Sequence, residues 1–132
     1  MTDPFVYIAP NEHTTPRYTA IRARADQTRA EVIAAIGADR SSAYRAINSA
    51  CESLYATIIA LAPASADRAA AERCCRLARM AANERVTAAP EEHARLDARI
   101  LDEIDGARWQ ACAAIALAPV ESLPALPELS TP

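Results

Sequence analysis

Lysine is absent from the chain: all 14 basic side chains other than the histidines are arginine. Glycine is nearly absent too, with only Gly37 and Gly106 present. There is accordingly no Gly-rich phosphate loop, and neither an HExxH nor a GxSxG stretch occurs. Four cysteines (Cys51, Cys74, Cys75, Cys112) never fall at CxxC spacing, which argues against zinc and against a disulfide framework. His13 and His93 have no ligand-like neighbours, so neither a metal nor a cofactor is expected. No apolar run reaches the length of a membrane span and no signal peptide is recognisable, which implies a soluble, cytoplasmic protein with no membrane partner. A formal net charge of −3 argues against bulk nucleic-acid binding, which needs a basic surface to neutralise many phosphates. With no convincing nucleophile–base pair either, the expectation is a binding or interaction protein rather than an enzyme.

Alanine, the best helix former, makes up about a quarter of the 132 residues, and no stretch alternates with period two. The fold class expected is all-α: four helices in antiparallel hairpins, between an N-terminal arm (1–15) and a Pro-rich tail (119–132), with one helical domain at 16–118. Thr15 reads as an N-cap and Pro16 as the first position of a helix that runs to Ile36 and ends at Gly37. The second helix, about 41–62, carries Tyr44, Ile47, Cys51, Leu54, Ile58 and Leu61 in a heptad-like seam. Pro63 then breaks the chain and Ser65 caps a third helix, with Ala70, Cys74, Leu77 and Ala81 as its expected seam. A fourth helix at about 91–117 presents Leu96, Ile100, Ile104, Ala107, Ala111 and Ile115 to the core. A small alanine-rich core buries little area per residue, so oligomerisation is expected.

Charge is unevenly distributed. From Arg68 to Arg85 five arginines face two glutamates, whereas Glu91 to Asp105 holds six acids against two arginines. The bland explanation is that the third and fourth helices lie side by side. Tyr18, beside Arg17 and Arg22, is placed to stack on a base while the guanidinium groups hold phosphate. Ser65 and Arg68, at a helix N-terminus, offer a second phosphate contact. Each of these residues also has a purely structural reading, as a core or interface tyrosine and solvated arginines. The apolar patch Phe5-Val6-Tyr7-Ile8 in the arm is expected to pack on the bundle or on a neighbouring subunit. In the tail, Leu123, Leu126 and Leu129 recur every three residues, and disorder is the expectation there.

The run Ala-Pro63-x-Ser65-Ala-Asp67-Arg68, followed by a helix ending Leu77-Ala-Arg79-Met80-Ala-Ala-Asn83-Glu84, resembles a hairpin of small phage proteins. That family includes anti-CBASS and anti-Thoeris sponges, whose helix ends in a Met-Trp-Ala-Asn-like run; the tryptophan is lacking here. The stretch from Trp109 through Cys112 to Ala116 resembles a weaker second copy, and Asn11-Glu-His13 through Arg17, Tyr18 and Arg22 is similar to the family's opening. The resemblance spans about 11–118 and implies two fused hairpins in a homo-oligomer. It also implies a phage immune-evasion protein of the host bacterial cytoplasm. Such a protein would sequester, without cleaving, a cyclic di- or trinucleotide or a cyclic ADP-ribose-type signal. The site implied is Tyr18 for the base, Arg17 and Arg22 for phosphate, and Ser65 with Arg68 for a further phosphate. The alternative, from a different class, is a helical adaptor acting through protein–protein contacts.

Overall fold

The computed structural model describes residues 11–126, so the patch at Phe5–Ile8 and the last tail leucine, Leu129, lie outside the described residues. Within them are four α-helices and two short 3₁₀ turns, and no strand. The helices are α1 (Thr15–Ile36), α2 (Arg40–Leu61), α3 (Ala66–Thr87) and α4 (His93–Ala116); the turns are Pro90–Glu92 and Val120–Ser122. Each helix packs on its neighbours in sequence and α4 closes back onto α1, giving an up-down-up-down bundle with α1 and α3 on one diagonal. The starts of α1 and α3 and the ends of α2 and α4 therefore share one end of the bundle.

The caps follow local chemistry, with one shift. Ser65 Oγ accepts from the Arg68 N–H at 3.1 Å, the cap expected of α3. Asp39 caps α2 by accepting from the Ser42 N–H at 3.1 Å and its hydroxyl at 2.9 Å. These bonds hold the Asp39 carboxyl below its ordinary range. At α1 the expected cap is one residue late. Thr15 is already helical and Thr14 holds the cap position without capping by its side chain. Asn11 organises this turn instead, its Oδ1 accepting from the N–H groups of His13 and Thr14 at 2.8 and 3.0 Å. Gly37 does terminate α1, but at φ −82°, a right-handed conformation open to any residue.

The core confirms the α2 and α4 seams. Ile47, Cys51, Leu54, Ile58 and Leu61 are buried, as are Leu96, Ile100, Ile104, Ala107, Ala111 and Ile115; Tyr44 packs half-buried against them. The α3 seam is corrected by one residue. Its buried line is Ala71, Cys75, Ala78, Ala82 and Arg85, with Ala81 of the expected seam buried beside it, while Ala70, Cys74 and Leu77 are half-buried. Alanine on both sides of the expected line left the helix without a unique apolar face in sequence, and contact with two neighbours selected the rotation. α3 and α4 form the most extensive pair, and Gly106 helps by bringing α4 close to Cys74: a Cβ there would lie 3.2 Å from the Cys74 Sγ.

The basic and acidic stretches do meet as neighbours. Arg85 Nε donates to Asp97 Oδ1 at 2.5 Å and Arg95 pairs with Glu84 at 3.3 Å, both between α3 and α4. On the other flank Arg29 reaches Asp105 at 3.2 Å, joining α1 to α4. The tail differs from the expectation of disorder as far as Leu126. Leu123 packs against the core, and Arg17 Nη2 donates to the Pro124 carbonyl at 2.5 Å. No helix among the described residues is long and apolar enough to cross a membrane.

Candidate functional site

The five residues singled out from sequence come to one end of the bundle, on two diagonal helices. Arg17, Tyr18 and Arg22 lie on the first two turns of α1, and Ser65 and Arg68 at the start of α3. Their chemistry is largely turned inward. Tyr18 is 7% exposed and belongs to the core, so its ring offers no open face for stacking in this conformation. Burial, and after it the neighbouring Cys112, pushes its phenol above the ordinary value, against smaller opposing effects of Thr14 and Arg22. Arg17 is 6% exposed, and its guanidinium is taken up by the carbonyls of His13 and Pro124. Arg68 spans the Glu72 carboxylate, 3.2 Å away, and the Ala62 carbonyl, 3.2 Å away, while the Ser65 hydroxyl is used in the cap. Arg22 and Ser65 are exposed, and of the three arginines Arg22 is the one left open, with a long 3.5 Å contact from Nε to the Tyr18 carbonyl.

A different surface gathers open polar groups. Where the N-terminal half of α2 runs against the C-terminal half of α3, a groove of about 610 Å³ is lined by Tyr44 and Asn48 from one helix and Arg76, Arg79, Met80, Asn83 and Glu84 from the other, the Glu84 carboxylate being paired with Arg95 at 3.3 Å. The helical period accounts for the set. Tyr44 and Asn48 are four apart, and Arg76, Met80 and Asn83 recur at four and three, so each group forms one stripe along its helix. Antiparallel packing then brings the stripes face to face. Arg79 is the structured wall: its Nε donates to Asn48 Oδ1 at 2.7 Å and its Nη2 lies 3.2 Å from Glu52. Arg76 and Asn83 are exposed and make no hydrogen bond or ion pair among the described residues, and Met80 is 64% exposed.

The groove is thus able to hold an anion at Arg76, an aromatic or apolar ring between Tyr44 and Met80, and an amide-reading contact at Asn83, the Asn48 amide being used by Arg79 and Glu52. Its volume is that of a small-molecule site, though it stays open on one side. Among the described residues no group of histidine, cysteine and carboxylate side chains could hold a metal. The four thiols are free; burial pushes Cys51 and Cys112 up to about 11 and Cys75 up to about 12, and raises Cys74 as well, which disfavours their thiolates at neutral pH.

Reasoning from sequence did not find the groove. Half of its signal was visible, since Arg76, Arg79 and Asn83 share a polar face of α3. The other half was not, since Tyr44 reads only as part of the α2 seam and nothing in the sequence singles out Asn48. No family model matches the chain, and neither a curated protein nor a solved structure does.

Proposed function

We propose that the protein is a non-enzymatic binding protein that captures a phosphate-bearing nucleotide signal, of the cyclic oligonucleotide or cyclic ADP-ribose type, in the groove between α2 and α3. The observation that carries this reading is the unpaired, exposed Arg76 beside Tyr44, Met80 and Asn83 in a groove of ligand size. The resemblance to phage sponges supports it independently of volume, because Met80 and Asn83 belong to the run that carries that resemblance. Sequestration asks for affinity and shielding rather than chemistry. Since the groove is open on one side, a second copy of the chain closing over it supplies the shielding, in keeping with the homo-oligomer expected from the small core.

Isothermal titration against cyclic dinucleotides, cyclic trinucleotides and cyclic ADP-ribose isomers tests this, with chromatography of the ligand released by heat. Binding with intact ligand recovered is expected. Arg76→Ala and Asn83→Ala should each weaken it at least tenfold without changing the melting temperature, because both side chains are exposed. Loss of binding on Arg22→Ala instead, with the groove variants unaffected, would move the site to the start of α1. No heat with any ligand would favour the adaptor, whose partner a pull-down would then seek.

A further inference from the structure

The groove between α2 and α3 has a second polar end. Along α3, Arg76, Met80 and Asn83 recur at four and three residues, so Asn83 stands about 10 Å from Arg76 at 1.5 Å per residue, with Met80 between them. Glu84 borders the groove next to Asn83 and is steadied from α4, its Oε2 accepting from Arg95 Nη2 at 3.3 Å. Given the nucleotide reading of this groove, on which the inference rests, we propose that Asn83 and Glu84 form a base-reading subsite. It selects purines that carry an exocyclic amine, adenine and guanine, over hypoxanthine, which lacks one.

Register, open hydrogen-bonding groups and charge support the assignment. Arg79 Nε donates to Asn48 Oδ1 at 2.7 Å, which sets residue 79 of α3 opposite residue 48 of α2. In the antiparallel pair, Asn83, one turn after Arg79, then stands opposite Tyr44, one turn before Asn48. A base stacked on the Tyr44 ring turns its edge to Asn83 and Glu84, while its phosphate reaches back along α3 to Arg76. Asn83 makes no hydrogen bond among the described residues, and Glu84 meets Arg95 through Oε2, which leaves Oε1 open. The Asn83 amide matches adenine, accepting from the amine and donating to the adjacent ring nitrogen. The Glu84 carboxylate matches guanine, whose ring N–H and amine are two parallel donors. Hypoxanthine keeps a single ring N–H and sets a carbonyl near the Glu84 charge. Charge fixes the direction of the ligand: Glu52 takes up Arg79 at 3.2 Å, so Arg76 is the lining arginine left for an anion, and Glu84 at the other end favours N–H donors.

Isothermal titration of the full chain with matched ligands tests the subsite. The ligands are the adenosine, guanosine and inosine forms of the cyclic dinucleotide and cyclic trinucleotide, and cyclic ADP-ribose with its inosine counterpart. An amine-bearing form should bind about tenfold or more tighter than the inosine form of the same ring. Asn83→Ala and Glu84→Gln, both at exposed positions, should keep the melting temperature and shrink that preference, Glu84→Gln by improving the inosine form, whose carbonyl a glutamine amide serves. Arg76→Ala is the control: it should weaken both forms and leave their ratio unchanged. Equal binding of amine-bearing and inosine forms would overturn the subsite and leave the nucleotide groove standing. A preference that both Asn83→Ala and Glu84→Gln retain would overturn it too, placing base reading elsewhere. No binding by any ligand would overturn the groove reading and the subsite together, a result distinct from equal binding.

Discussion

Arginines occupy two regions of this bundle in opposite states. At the start of α1 and in the last turn of α3, Arg17 and Arg85 are each 6% exposed and bonded to groups of the fold. In the α2/α3 groove, Arg76 stands in solvent, and Arg79 beside it is half-engaged. The difference lies in what each helix face meets. Arg17 and Arg85 fall on lines that point inward, where carbonyls or a carboxylate take up the guanidinium, because an unpaired buried charge is costly, although the Arg17 Nε is left without a partner among the described residues. Arg76 falls one position off the buried line of α3, and solvent takes up its charge. An arginine row along a helix therefore does not by itself mark an anion site; rotation of the helix decides which members stay free.

Arg85→Met breaks this contrast most severely. It strands Asp97, whose side chain is only 16% exposed, and releases the Ile36 carbonyl, so a loss of about 3–5 kcal/mol in urea unfolding is expected. Arg17→Met should cost less, about 1–2 kcal/mol, because its partners are carbonyls and no carboxylate is left behind. Equal losses would show that burial alone, and not the partner, sets the cost.

An intermediate effect is expected from pH. Cys51, Cys75 and Cys112 titrate from an ordinary 9.0 when unfolded and only at about 11, 12 and 11 in the fold, because burial penalises the thiolate. Below pH 9 both states keep these protons and the contribution is fully present. Above it the unfolded chain releases them first, so stability should fall as pH rises from about 9 towards 11–12. Urea midpoints between pH 7 and pH 11 measure it, and a flat profile would mean that the thiols reach solvent.

The smallest effect separates the two glycines. Gly37→Ala should stabilise by about 0.4–1 kcal/mol, since its φ is right-handed and an added Cβ meets nothing within 4 Å. Gly106→Ala gains helix propensity but presses on the Cys74 Sγ at 3.2 Å, so its net change in thermal unfolding should fall below that of Gly37→Ala.

Periodicity made α2 and α4 legible because Ile and Leu on one stripe leave only one rotation that buries them. It failed on α3, where Ala70 and Ala71, or Cys74 and Cys75, are interchangeable in hydrophobicity and the seam moved by one. The same ambiguity hid the groove, since Tyr44 and Asn48 come to matter only once α2 is docked on a particular face of α3. Tyr18 shows the limit from the other side. Its neighbours Arg17 and Arg22 look like a phosphate cradle in sequence, yet the ring belongs to the core beside Cys112.

Composition and local chemistry alone determined the all-α class, the four helices, the Ser65 cap and the pairing of a basic with an acidic helix, because each depends on residues within a few turns of one another. Only the tertiary structure decided which arginines are buried, which groove is open and where the tail crosses Arg17. Those outcomes depend on the rotation of each helix against two others, and in an alanine-rich chain adjacent rotations differ too little in buried apolar area for sequence to choose between them.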